Sequence, residues 1–348
     1  MRIVIAPDSY KECLKAEEVA AAMTLGVREI CPEAEVLEMP LADGGEGTLD
    51  VLSKALCADI RHAQVQDPLG RRISADYGAA GDTAIIEVAR VCGISMLLPE
   101  ERNPLLASTR GLGELIMEAY AHGCRKYIVG LGGSATCDGG AGMLSVSGIK
   151  GVLGECTFEL LCDVDAPFVG PEGAAVVFAP QKGASEEDVE ALECRMLAFA
   201  RRIYDETGVD VTGMPGAGAA GGLGGALMAY AGAKYESGVD RIMDIIGFDE
   251  AARGADLVIT GEGHSDAQTL KGKVPYGVLR RSGNTRVALV SGVIEGDCRE
   301  LAVAGYCAMI QVSNGNSLRE DMLPQRAKAN IAHAVKSMLS GESVHEEK

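Results

Sequence analysis

The 348-residue chain contains no tryptophan, and Tyr and Phe bring its aromatic content to only 4%. Few flat side chains are available for successive bases to stack on, which argues against a single-strand nucleic-acid binder. Basic residues are also in deficit: 32 Lys and Arg face 50 Asp and Glu, a net charge of −18. Affinity for nucleic acid comes largely from Lys and Arg on phosphates, and attraction to anionic membranes has the same origin, so both are disfavoured as partners. The eleven cysteines include no Cys-x-x-Cys pair, and an odd count without metal-ligand spacing fits reduced thiols in the cytoplasm. No apolar run reaches the roughly 18 residues that a membrane span needs. The opening Met1-Arg2-Ile3-Val4-Ile5 runs into a strand-like segment rather than a secretory signal.

Glycine is what the chain has in excess. There are 45 in 348 residues, well above the usual share of about 7%, and they are clustered. The length favours two domains. Strands are expected at Arg2 to Ala6, Val36 to Met39, Asp59 to Gln66, Ile73 to Tyr77, Ala84 to Val88, Tyr127 to Leu131, Asp256 to Thr260, Arg286 to Val290 and Ala308 to Val312. Helices are expected at Lys15 to Ile30, Thr48 to Leu56, Glu186 to Thr207 and Gln325 to Leu339, with a polar, frayed tail after Gly341. The fold class is α/β: a Rossmann-like doubly wound domain, discontinuous in sequence, carrying a second, inserted α+β domain. The expected division is 1–60, 112–148 and 252–348 for the first domain, and 61–111 with 149–251 for the second.

Six stretches carry candidate chemistry. Ala6-Pro7-Asp8-Ser9-Tyr10-Lys11 ends the first strand, where α/β sheets bind ligands. Asp8 is suited to hold Mg²⁺ or act as a base, and Lys11 to neutralise a phosphate or carboxylate; a helix cap by Asp8 or Ser9 explains the same residues without a ligand. In Ala42-Asp43-Gly44-Gly45-Glu46-Gly47-Thr48, the glycines allow close backbone approach to an anion. The helix behind them offers a positive dipole end. Asp43 and Glu46 fit better beside Mg²⁺ or a hydroxyl, and a plain turn is the alternative. The run from Gly130 through Gly132, Gly133, Ser134, Thr136 and Asp138 to Gly142 lies between a strand and a helix, a phosphate-cradling context without a Gly-Lys-Ser/Thr sequence. A turn that needs glycine for packing is its alternative. Cys137 in this run is expected to be a spectator, with no histidine near it in sequence. Asp163 and Asp165 share a face if their strand continues, which suits Mg²⁺; a turn before Pro167 accounts for them equally. The Gly- and Ala-rich run 213–225 reads as a packed loop and helix start rather than a linker. Finally, Glu262 and Asp266 follow a strand as candidates for metal or base, and Lys273 precedes a helix start that favours an anionic ligand. His264 reads as a surface or capping histidine.

Taken in order, these stretches resemble the type 1 glycerate kinase family over nearly the whole chain. The matching segments are Ile5 to Lys11, Leu41 to Thr48, Gly130 to Thr136, Cys162 to Asp165, Pro180-Gln181-Lys182-Gly183-Ala184, Pro215 to Gly224, and Gly261-Glu262-Gly263 with Asp266, Gln268, Gly272 and Lys273. The resemblance implies two α/β domains with a cleft between them, ATP and Mg²⁺ as cofactors, and D-glycerate as substrate, with 2-phosphoglycerate the favoured product. For such a reaction Asp43 or Asp8 is the expected base, and Lys11 and Lys273 the charges that offset the phosphoryl group. Asp163, Asp165 and Glu262 are the expected metal ligands. Ser9, Gly44, Gly45, Glu46, Gly132, Gly133, Ser134, Thr136, Asp138, Asp266 and Gln268 are the expected contacts to substrate or phosphate. The chain departs from the family pattern at His264, where Arg is usual, at Cys137, where Asn is usual, and at Glu12, where Gly is usual. The segment between Met143 and Cys162 is also short. A non-catalytic binder of hydroxy acid or nucleotide on the same scaffold is the alternative, and a nicotinamide-dependent oxidoreductase is disfavoured because the first strand leads into Pro7-Asp8 rather than a glycine fingerprint. Homo-oligomer formation is left open.

Overall fold

β-branched residues resist helix and fit a pleated, buried surface, and several of the strands form where such residues run together. In this computed structural model, which describes residues 1–295, 299–313 and 318–341, they follow in chain order. These are β1 (Arg2–Ile5), β2 (Glu35–Glu38), β3 (Asp59–Gln66), β4 (Arg72–Ala80), β5 (Thr83–Glu87), β6 (Lys126–Gly130) and β7 (Thr157–Leu161). They continue with β8 (Lys234–Glu236), β9 (Leu257–Thr260), β10 (His264–Ser265), β11 (Val287–Ser291), β12 (Val293–Ile294) and β13 (Ala308–Gln311). The tail after Gly341 lies outside the described residues.

The chain divides into two units, Met1–Asp43 with Val239–Lys348, and Gly44–Gly238. The first is built on a five-stranded sheet in the order β13-β11-β9-β1-β2, parallel throughout. A parallel sheet is covered on both faces, so its central strands read as continuous apolar runs. Ile3, Val4 and Ile5 are completely buried, and each such side chain contributes roughly 1.5–3 kcal/mol of burial. Ile3 and Ile5 share one face. There they pack with Val19 and Met23 of the helix Ala16–Ile30 and with Ile331 and Val335 of the helix Pro324–Ser340. The helix Val274–Arg281 packs against β9 and β11 through Val274 and Val278, outside that cluster. The doubly wound, discontinuous character read from the sequence is therefore present.

The second unit is a six-stranded sheet in the order β3-β4-β5-β6-β7-β8. β3, β4 and β5 are antiparallel neighbours, and from β5 onward the pairs are parallel. Its core includes Tyr127 and Phe158, stacked with ring centroids 4.5 Å apart. The Gly- and Ala-rich run leads through buried Ala217 and Ala219 into the helix Leu223–Ala231, a packed loop and helix start as expected.

This sheet corrects the expected division. Residues 112–148 were assigned to the first domain, but β6 pairs with β5 and β7, which places them in the second unit. Residues 44–60 and 239–251 also change sides. The reason is that strand-loop-helix grammar is the same in both sheets, and periodicity does not say which neighbour a strand chooses. Among the described residues no helix is long and apolar enough to cross a membrane.

Candidate active site

The first unit carries a cavity of about 310 Å³ at the carboxyl ends of its parallel strands, the place where open α/β sheets bind ligands. Asp8 and Ser9 reach it from the end of β1, Glu262 and Gly263 from β9, Gly292 from β11 and Ser313 from β13. Asp43, Lys11, Lys273 and Asp321 add to its charged lining.

Asp8 is held rigidly. Its N–H donates to the carbonyl of Gly261 at 2.8 Å, and Ser9 N–H donates to its Oδ1 at 2.6 Å. Burial pushes its carboxyl well above the ordinary range, and the charge of Asp43 adds to this; Lys11 pulls the other way. Ser9 Oγ is buried with no hydrogen-bond partner among the described residues. A buried, unsatisfied hydroxyl costs free energy, and here it lies at a cavity wall.

Glu262 is the second buried carboxyl. Ser265 Oγ donates to its Oε1 at 3.0 Å and Thr269 Oγ1 at 2.7 Å, while Oε2 faces Lys273 Nζ at 3.3 Å. Burial raises its pKa against the lowering effect of Thr269, Lys273 and Ser265. Its loop is pinned by two short strands, with β10 pairing β12 and Gly292 N–H donating to Glu262 O at 3.0 Å. Lys273 Nζ also lies 3.7 Å from Asp266 and donates to His264 O at 3.3 Å. Asp266 caps the short helix Ala267–Lys271 by accepting from Gln268 N–H at 2.8 Å. Gln268 itself is exposed, and neither residue lines the cavity. His264 lines the cavity as well and pairs with Glu295 at 3.0 Å, its ring about half exposed.

Glu12 sits beside this cavity at φ +61, in the left-handed region that costs a side chain roughly 1 kcal/mol and glycine almost nothing. The departure from glycine at this position is thus a strained one. Glu12→Gly is expected to raise stability by about 0.5–1 kcal/mol, read as a higher urea midpoint at unchanged slope.

The second loop motif straddles the two units, with Asp43 in the first and Gly44 opening the second. Its glycines are used for packing. A Cβ on Gly132 would lie 2.5 Å from Gly45 Cα, and one on Gly44, at φ +88, would lie 2.5 Å from Leu161 O. Gly132 N–H donates to Gly44 O at 3.0 Å, so it is not free to cradle a phosphate. The helix Thr48–Ala55 begins behind this loop, but its N-terminus is met by Glu87, whose Oε2 accepts from Gly47 and Leu49 N–H at 3.1 and 3.0 Å. Glu46 is exposed. For Gly44, Gly45, Glu46 and Gly132 the structure supports the turn-and-packing alternative.

Asp138 is likewise turned inward. Its carboxylate accepts from the N–H and hydroxyl of Thr109 and from Gly140 and Gly142 N–H, clamping its loop. Cys137 is buried, its thiol pushed up to about 11, which suits the expected spectator. The expected strand face for Asp163 and Asp165 is absent, because β7 stops at Leu161. Asp163 Oδ1 accepts from Ser237 Oγ and Gly238 N–H, and Asp165 is exposed. Among the described residues no three His, Cys, Asp or Glu side chains gather in a metal-binding group. Glu262 belongs to the first unit and the two aspartates to the second.

Gly133, Ser134 and Thr136 stand differently. The second unit has its own cavity of about 310 Å³, lined by Gly133, Ser134, Gln181 and Lys182 together with apolar groups such as Leu131 and Phe178. Thr136 Oγ1 is buried without a hydrogen-bond partner among the described residues. Reading the sequence missed Glu87, Ser265, Thr269 and Lys182 as site-building residues. Only Lys182 carried a signal, as part of the Pro180 to Ala184 stretch; single Ser, Thr and Glu residues carry none.

Comparison with known proteins follows this geometry. A family model described as the glycerate kinase family matches residues 3–152 and 144–341; the two stretches meet in the segment read as short. Glycerate 2-kinase of Escherichia coli (strain K12) is 43% identical over 308 residues, covering 80% of this chain and 81% of that protein. Glycerate kinase of Bacillus subtilis (strain 168) is 38% identical over 360 residues, with 94% of each chain covered. A crystal structure described as glycerate kinase 2 from Salmonella typhimurium LT2 superposes with a TM-score of 0.83 at 37% identity, covering 98% of each chain.

Proposed function

Since this chain belongs to the glycerate kinase family, we propose that it moves the γ-phosphoryl group of ATP onto a hydroxyl of D-glycerate, the 2-hydroxyl being favoured. Assignment to type 1 within the family belongs to the same proposal and rests on the order of the motifs. The observation that carries the reading is the first unit's cavity, where two buried carboxyls, two lysines and a serine hydroxyl with no hydrogen-bond partner among the described residues converge at strand ends.

Phosphoryl transfer asks for alignment and charge neutralisation. The glycerate hydroxyl oxygen bonds to the γ-phosphorus as the bond to the β,γ-bridging oxygen breaks, and ADP leaves. Asp8 takes the hydroxyl proton on a carboxylate oxygen. Its raised pKa suits that task, because a base is most effective when its pKa lies near the working pH, and Asp43 keeps it raised. Lys11 and Lys273 offset charge on the transferring group. Glu262, fixed by Ser265 and Thr269, holds Lys273 in place. Ser9 Oγ is left to orient the substrate.

Asp43 and Glu262, two oxygen donors in the lining of this cavity, would hold Mg²⁺, which takes one or two carboxylates and fills its shell with water and phosphate oxygens. When bound, it would neutralise phosphate charge. The metal role expected for Glu262 is kept, and Asp43 takes the place of Asp163 and Asp165 in this proposal.

The test is ADP release with ATP, Mg²⁺ and D-glycerate, followed by ³¹P NMR of the product. Turnover that requires all three is expected, with a doublet from coupling to the lone C2 proton. A folded protein that D-glycerate stabilises against heat without any ADP release would instead establish a binding protein.

A further inference from the structure

Lys182 lies in the second unit, and its environment is unusual for a lysine. It is only 4% exposed. Its ammonium donates to Ser134 Oγ at 2.9 Å and to Thr136 O at 2.8 Å, both neutral acceptors. Among the described residues no carboxylate pairs with it; Asp138, whose charge it feels, spends its oxygens on Thr109, Gly140 and Gly142. An ammonium removed from water without a counter-charge is costly, and burial holds this one down to about 8.

The surroundings supply the rest of an anion site. Ser134 Oγ accepts from Lys182 and so has its own proton left to donate. The N–H groups of Gly133 and Ser134 donate to no acceptor among the described residues, although Ser134 is buried. Gly133, Ser134 and Lys182 all line the second unit's cavity. Gly133 has φ +74, and consecutive N–H groups in such a turn form a concavity suited to an oxyanion.

We propose that this cavity is an oxyanion-binding site with Lys182 as its charge, and that it receives the carboxylate or phosphate of one of the two reactants. The proposal rests on the kinase reading for the identity of the anion, while the site itself does not. Gly133 and Ser134 keep the phosphate or substrate role expected of them, Gly132 lines the same cavity with its N–H spent on Gly44 O, and Lys182 is added.

Lys182→Met preserves the length of the side chain and removes the charge. Titration calorimetry of D-glycerate and of ADP, each against wild type and variant, separates the two sources. Loss of one charge-assisted contact is expected to weaken one of these ligands by at least about tenfold. An effect on D-glycerate identifies a carboxylate, and one on ADP a phosphate. Steady-state KM for the same reactant should rise in parallel. If Lys182→Met does not fold, Ser134→Ala removes one donor with less disturbance and is expected to weaken the same ligand by about threefold or more. Unchanged affinity for both ligands in a folded variant overturns the proposal. Calorimetry needs no turnover, so failure of the kinase reading and failure of this site give different results.

Discussion

Replacing Asp8 with Asn lowers kcat by at least about 100-fold and leaves the protein no less stable, on the roles assigned above. Asn keeps the shape and the oxygen that accepts Ser9 N–H but cannot take a proton from the substrate. The stability half follows from the direction of the shift. The folded state holds the Asp8 proton more tightly than the unfolded chain does. Its contribution to stability is therefore fully present below the unfolded value of about 4 and is lost as the pH rises toward the raised folded value. Asn carries no such penalty, so the variant should gain on the wild type as the pH increases through that window. In the wild type, kcat should fall on the acid side at a pH above the ordinary carboxylate range. Urea midpoints and kcat measured from pH 4 to 8 check both halves. A variant that loses stability in step with activity would mean that Asp8 is structural.

The second large effect is expected at Lys273. Lys273→Met should reduce kcat by about 10²–10³, the usual result of removing one donor that faces developing charge. Lys273 is about one-third exposed and Glu262 is nearly buried, so the variant also strands a carboxyl whose remaining partners are Ser265 and Thr269. Glu262 then takes up a proton more readily. A double-mutant cycle with Glu262→Gln separates the two consequences. If Lys273 acts on the phosphoryl group, the double variant stays as slow as Lys273→Met. If Lys273 only satisfies Glu262, the double variant recovers, and the proposed role fails.

The strands and helices were legible because they obey local rules. Asp59–Gln66 and Glu186–Thr207 come out at the expected boundaries, one bounded by turn residues and the other capped by Ser185 and ended by Gly208. The partition was not legible, because Lys126–Gly130 has the same pattern whichever sheet it joins. At the site, Asp8, Lys11, Glu262 and Lys273 could be read from their positions just after strands or before a helix, where ligands bind. Asp138 and Gly132 could not, because an aspartate that clamps a loop and a glycine that admits another backbone look in sequence like a ligand-binding pair. Asp163 and Asp165 misled for a different reason: alternation puts i and i+2 on one face only while the strand lasts, and β7 ends at Leu161, before either of them.

The order of strands in the first sheet has a consequence for synthesis on the ribosome. β1 lies between β2 and β9, yet Leu257 follows Ile5 by 252 residues. At about 5–20 residues per second, β1 waits on the order of 10–50 s for that neighbour to emerge. Throughout that interval Ile3-Val4-Ile5 presents an apolar strand with an open edge, the kind of surface that invites pairing with a stranger. Gly44–Gly238, being continuous, meets no such delay and can complete its sheet first. Nascent chains of this protein thus carry their most exposed aggregation risk at the front, and a chaperone that shields emerging apolar segments would have the first forty residues as its main client.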